Sequence, residues 1–350
     1  MTPSKKKPAE NLIRNRVPEE MPSRKISWLE RRLGPDNYRL VRNLVRTPAS
    51  IIGFILITFF ILIAVFAPLI APPLPNKDPY IIPRDGFSMQ PRPMMSEWKK
   101  NPPPLPVWWE PVMKTDQWVH IMGTTSGQYD IFYGIVWGTR VAFFAGLVIT
   151  LSVFLIGLAI GVISAFYGGV VDILLMRIVD IFMTLPFLMA ALIFAAVLIP
   201  KLGRTILPAV IALIAFSWMP YARLIRGDIL TVKEREYVTA ARVIGVRKSA
   251  IMFKHILPNA IFPTLVYATM DIGSYVLSFA ALIFLGVGTD MGYSDWGQLL
   301  SFSRNWITAL DRYWYIVVWP GIALILYCLA WNLVGDALRD ALDPRMRGAK

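Results

Sequence analysis

The most telling ionisable residue in this chain is Asp271, which lies near the middle of an apolar run, in YATMDIGSYVLSF. A charge in that setting is costly and usually has a reason. It suits the lining of a wet pathway, where a carboxylate can meet an amine or a sugar hydroxyl. It suits equally a carboxyl bonded to a neighbouring helix. Met183, Pro186 and Met189, in an earlier apolar run, are placed to shape the same pathway, although methionines at helical spacing often only pack. Arg177 and Asp180 stand at i, i+3 in that earlier run and are expected to form a structural ion pair on one helix face.

Catalytic machinery is not expected. The sequence has no G-x-x-x-x-G-K-[ST] loop to cradle a nucleotide's phosphates and no G-x-S-x-G elbow. The two histidines, His120 and His255, fall on opposite sides of the membrane in the topology below, so no shared metal site is expected. Work against a gradient would have to be powered from outside this polypeptide.

What must position these residues is a set of membrane spans. The 350 residues are 55% hydrophobic and only 17% charged, with mean hydropathy +0.51, outside the usual soluble range. Six apolar runs approach the roughly 20 residues needed to cross a bilayer: 51–71, 141–166, 173–199, 205–224, 260–286 and 315–334. Residues 1–50 carry twelve Lys and Arg against five acids, whereas 72–139 carries six against six. The basic excess puts both termini in the cytoplasm and the 72–139 connection outside. The net charge of +13 is then topology and does not call for nucleic acid. The first run is longer than a signal-peptide core and about fifty residues precede it, so it reads as an anchor. The one cysteine, Cys328, lies in the last span, which rules out an intrachain disulfide.

Between the fourth and fifth spans lies a polar island, EYVTAARVIGVRKSAIMFKHILPN (236–259). Tyr237, Ala241 and Ile244 recur at helical spacing, Gly245 provides a stop, and Pro258 marks a restart. A short amphipathic helix held at a membrane surface is a docking device for another protein.

The island resembles the cytoplasmic coupling loop of ABC importer permeases, patterned Glu-Ala-Ala, three residues, Gly, nine residues, Ile-x-Leu-Pro. Ala240, Ala241, Gly245, Leu257 and Pro258 match that spacing, while Thr239 and His255 depart from its Glu and Ile. Further stretches agree. Gly123, Thr124, Asp130, Gly138 and Arg140 fit the run before the second span, with Thr125 and Tyr129 replacing its usual Asp and Arg. Tyr167–Pro186, Ser294–Leu300 and Asn332–Arg347 are similar to later family segments. The likeness covers about 118–347 and is closest to the second permease of dipeptide and oligopeptide importers. It implies an all-α, six-span, MetI-like fold of a type I importer, in the inner membrane of a prokaryote. It also implies a second related permease, two cytoplasmic ATPases that bind ATP and Mg, and an external substrate-binding protein. The coupling residues would be Tyr237, Val238, Thr239, Ala240, Ala241, Arg242, Ile244, Gly245, His255, Leu257 and Pro258.

The organisation expected is a tail with an interfacial helix over 1–48, a first span over 49–71 and an external loop over 72–139. A five-helix core over 140–335, with its coupling loop at 227–258, precedes a tail over 336–350. Twelve prolines between Pro72 and Pro111, with Trp98, Trp108, Trp109 and Trp118, make the external loop either a rigid cap or a platform for a partner. The tryptophans would also suit sugar stacking, and oligosaccharide or nickel import is the alternative within the family. Outside it, the rivals are a channel and a non-transport intramembrane enzyme or sensor.

Overall fold

Long apolar stretches in a bilayer have no water to bond their backbone, so they close those bonds within helices. We describe the chain from a computed structural model that covers Leu44 and residues 47–342; the expected interfacial helix and the last basic residues lie outside the described residues. Among the described residues, five helices are long and apolar enough to cross a membrane, and a bent pair makes a sixth candidate.

The first helix, α1 (Pro48–Ile70), opens on a Thr47 cap whose hydroxyl accepts from the Ser50 amide, with proline at its first position. Pro68, inside its last turn, has no N–H, so the Ala64 carbonyl four residues earlier loses its donor. Arg140 supplies one: its Nε donates to that oxygen at 2.5 Å and its Nη2 to Val65 O at 3.2 Å.

Arg140 belongs to α3 (Ile131–Tyr167), a helix of 37 residues, which starts well before the expected Val141. It is long enough to rise out of the bilayer into the connection before it. That connection contains a single short helix, α2 (Trp109–Met113), and a two-residue antiparallel pairing of β1 (Ser96–Glu97) with β2 (Val119–His120). Its tryptophans point inward. Trp98, Trp109 and Trp118 are buried, Trp109 stacks on Trp118 at 4.5 Å, and half-buried Trp108 donates to Ile70 O. At the centre is buried His120, with Nδ1 2.7 Å from Asp130 Oδ2 and Nε2 3.4 Å from Asp85 Oδ2. Asp85 also pairs with Arg92 and accepts the amides of Lys99 and Lys100. The other oxygen of Asp130 caps α3 by accepting from Tyr133 N at 2.8 Å. One carboxylate thus joins this cap to the first turn of the central helix.

The expected third span is not continuous. It divides into α4 (Gly169–Met183) and α5 (Phe187–Leu202), bent by 87°, because Pro186 cannot donate to a preceding turn and its neighbours close a turn of their own. The fourth span runs on past Leu224, as α6 (Leu207–Ser217) and α7 (Met219–Lys233) in one 27-residue rod. Helix α8 (Glu236–Val243) follows. The fifth span does not wait for Pro258. Its rod begins at Lys248 and widens into a π-turn over Ile251–Ile256 before α9 (Leu257–Phe284). Pro258 sits just after the widened turn, where its missing N–H is accommodated. Helix α10 (Trp296–Ser301) and the final span α11 (Tyr315–Leu342) complete the chain.

The helices pack through small residues. α3 lies against α7 and α9, and α9 against α11. A Cβ on Gly161 of α3 would come within 2.7 Å of Ala222 O, and one on Gly273 of α9 within 2.9 Å of Cys328 Cα. Such close approach is the usual glue where lipid removes the hydrophobic drive.

Asp295 caps α10 through Gln298 N at 2.8 Å and is otherwise enclosed, and burial pushes its carboxyl up to about 7. Between the ordinary carboxylate range and 7 the folded chain therefore holds a proton that the unfolded chain has lost, so stability falls as pH rises. Asp295→Asn keeps the cap without the charge. Its melting temperature, followed from pH 4 to 8 in detergent, is expected to decline less than that of the native chain between pH 4 and 7.

Candidate functional site

At one end of the bundle, α8 lies across the ends of the spans. Of the docking face expected from Tyr237, Ala241 and Ile244, only the first and last are free. Val238 and Ala241 are the buried pair, set against Ile225 and Ile229 of α7 and against Ile251, Met252 and Ile256. Tyr237 is 46% exposed, Val243 82% and Ile244 78%. Val238 and Ala241 therefore anchor α8 to its own bundle and cannot fill a partner's groove; the free apolar surface is Tyr237, Val243 and Ile244. Periodicity placed the helix but could not say which side its own chain would claim, and Val243 went unnoticed.

The helix ends in a Schellman turn. Gly245 takes φ +81°, its amide bonds Arg242 O, and Val246 N bonds Ala241 O. Arg242 reaches back to Lys233 O at the end of α7. Thr239 and Ala240 are exposed, as are His255 and Pro258, while Leu257 is half-buried.

Deeper in the bundle a cavity of about 270 Å³ opens between α4, α6, α7 and α9. Asp271 lies on its wall and accepts a 2.8 Å hydrogen bond from the Tyr221 hydroxyl. Met183 lines the same space, with Tyr267 and Tyr275. Pro186 stands beside it as the first residue before α5. Met189 does not join them; it is 62% exposed on α5.

The expected Arg177–Asp180 pair does not form. Asp180 pairs instead with Arg223 of α7, and eight residues earlier Asp172 takes Arg226. The Ser164 hydroxyl also donates to Asp172. A charge at i, i+3 was the only partner visible in the local sequence, whereas helix packing brought two arginines from α7 to the two aspartates of α4. The sequence signal was present: Arg223 and Arg226 share the i, i+3 spacing at the end of an apolar run.

The comparisons agree with this architecture. Residues 157–348 match the family model described as binding-protein-dependent transport system inner membrane component. Residues 38–91 match the N-terminal transmembrane domain of oligopeptide transport permease C, which carries the likeness further N-terminally than 118–347. The dipeptide transport system permease proteins of Alkalihalophilus pseudofirmus and Haemophilus influenzae are each 33% identical, over 87% and 85% of this chain and 89% and 91% of their own lengths. The glutathione transport system permease protein of Pectobacterium atrosepticum is 34% identical over 65% of this chain and 73% of its own. The chain belongs to the binding-protein-dependent transport system inner membrane component family. It is a multi-pass membrane permease of MetI-like fold.

The Asp172–Arg226 pair is partly shielded, its side chains 17% and 30% exposed, and is expected to couple α4 to α7 by about 1–2 kcal/mol. A double-mutant cycle with Asp172→Asn and Arg226→Gln, read by thermal unfolding in detergent, should return that coupling. Additive effects of the two changes would show that the pair contributes nothing.

Proposed function

We propose that the chain is one of two permeases in an ATP-driven importer of short peptides, with both termini in the cytoplasm of a prokaryotic cell. The observation that carries this reading is the exposed apolar edge of α8, Tyr237, Val243 and Ile244, on a helix whose other face is locked to α7. An apolar edge held rigidly at a membrane surface is the shape a cytoplasmic ATPase can push on. The relatives named for dipeptides and glutathione support a peptide cargo.

In this reading two ATPase subunits hold ATP and Mg outside this chain, and the chain itself performs no bond chemistry. Closure of the ATPases draws the two permeases' coupling helices together. Helix α7 carries that displacement into the bundle, and its ion pairs to α4 carry it across the bend at Pro186. The path past Asp271 and Met183 then opens outward to take cargo from an external binding protein, and hydrolysis resets it inward. Arg235, Arg242, Arg247 and Lys248 are available either to partner carboxylates or to anionic lipid. An oligosaccharide cargo has less support, since three of the four tryptophans suited to sugar stacking are buried in the cap.

Val243→Asp combined with Ile244→Asp is expected to abolish co-purification of the ATPases while leaving the melting temperature of the permease within a few degrees of native. Val238→Asp should instead unfold this end of the bundle. Retention of the ATPases by the first variant would remove α8 as the docking element.

A further inference from the structure

We propose that the cavity between α4, α6, α7 and α9 is a binding site for a primary ammonium group, with Asp271 as its counter-charge; the identification of that group as the amino terminus of a peptide rests on the import reading above. The carboxylate is only half used. Tyr221 donates to Oδ2, and Oδ1 has no hydrogen-bond partner among the described residues, although the side chain lines an open space. No lysine or arginine stands on the cavity wall, so the negative charge has no cation of its own.

Polar groups beside the carboxylate are few. Ser217 and Tyr275 line the same cavity, with the Ser217 Oγ buried against the Tyr275 side chain. The remaining wall is aromatic where it nears the carboxylate: Tyr267 packs against Tyr221 with ring centroids 5.4 Å apart, and Tyr275 and Phe216 lie alongside.

These groups suit one chemistry. An alkylammonium carries three N–H donors in a compact charge, here to be met by a carboxylate oxygen, a hydroxyl oxygen and ring faces that attract cations. A metal ion is a poor fit, since one carboxylate and neutral hydroxyls supply too few hard oxygen ligands. A sugar would need several fixed donors and acceptors, and this wall offers few. Tyr221 tempers the site by sharing the carboxylate, which suits a stop on a path where cargo must also leave.

The test uses the assembled importer containing the full chain. Asp271 is labelled with dicyclohexylcarbodiimide, and its modification is quantified by peptide mass spectrometry in the presence of dialanine, N-acetyl-dialanine or maltotriose. Dialanine should reduce labelling at least threefold, and the two ligands without an amine should not. Equal labelling in all three, or protection by maltotriose alone, overturns the proposal. In proteoliposomes Asp271→Asn should lower dialanine uptake about tenfold, and Asp271→Glu should retain most of it. Undiminished uptake by Asp271→Asn also overturns it, leaving the import reading intact. Amine protection in a complex that takes up no dialanine would keep the ammonium site and remove the peptide cargo.

Discussion

Charge within a membrane protein must be matched, and here the matching joins two helices that otherwise touch through apolar side chains such as Met176, Val179, Met219 and Ala222. Asp172 and Asp180 on α4 take Arg226 and Arg223 on α7. Helix α7 begins at the cavity, with Tyr221 reaching Asp271, and ends where α8 turns off toward the surface. Its 15 residues span about 22 Å at the α-helical rise. Helix α7 thus links α8 to the cavity, and α4, tied to α7 by the two ion pairs, lines the same wall with its last turn.

The cap follows the same logic with different groups. Its prolines forbid long helices, so its core is built from side chains instead: stacked tryptophans, and a histidine set between two carboxylates. Asp130 is where this core and the bundle meet, since one oxygen serves His120 and Trp118 and the other caps α3. The cap is fastened to α3 there and again through Tyr133, whose hydroxyl donates to Pro79 O, and through the Tyr80–Trp137 ring contact.

The spans were legible because length and apolarity alone decide whether a segment crosses a membrane, and the short helix of the polar island was legible because its apolar spacing is regular and Gly245 stops it. What sequence could not show depended on partners far along the chain. Nothing local says that Asp180 answers to Arg223 rather than Arg177, or that Asp271 is bonded by a tyrosine 50 residues away. The break at Pro186 was hidden by an apolar run that continues on both sides of it. Val238 and Ala241, expected on the docking face of α8, turn inward instead, because a helix with apolar residues at Tyr237, Val238, Ala241, Val243 and Ile244 can be seated in more than one rotation. Which rotation wins is settled by α7 and the π-turn beneath it.

The contact between Arg140 and the carbonyls of Ala64 and Val65 has an evolutionary consequence. It recognises main-chain oxygens, one of them freed by a missing proton at Pro68, and no side chain of the first helix takes part. Changes among the exposed apolar side chains of that turn, such as Leu69, leave the attachment itself untouched. The C-terminal end of the first span is held by what its main chain offers and not by what its side chains are.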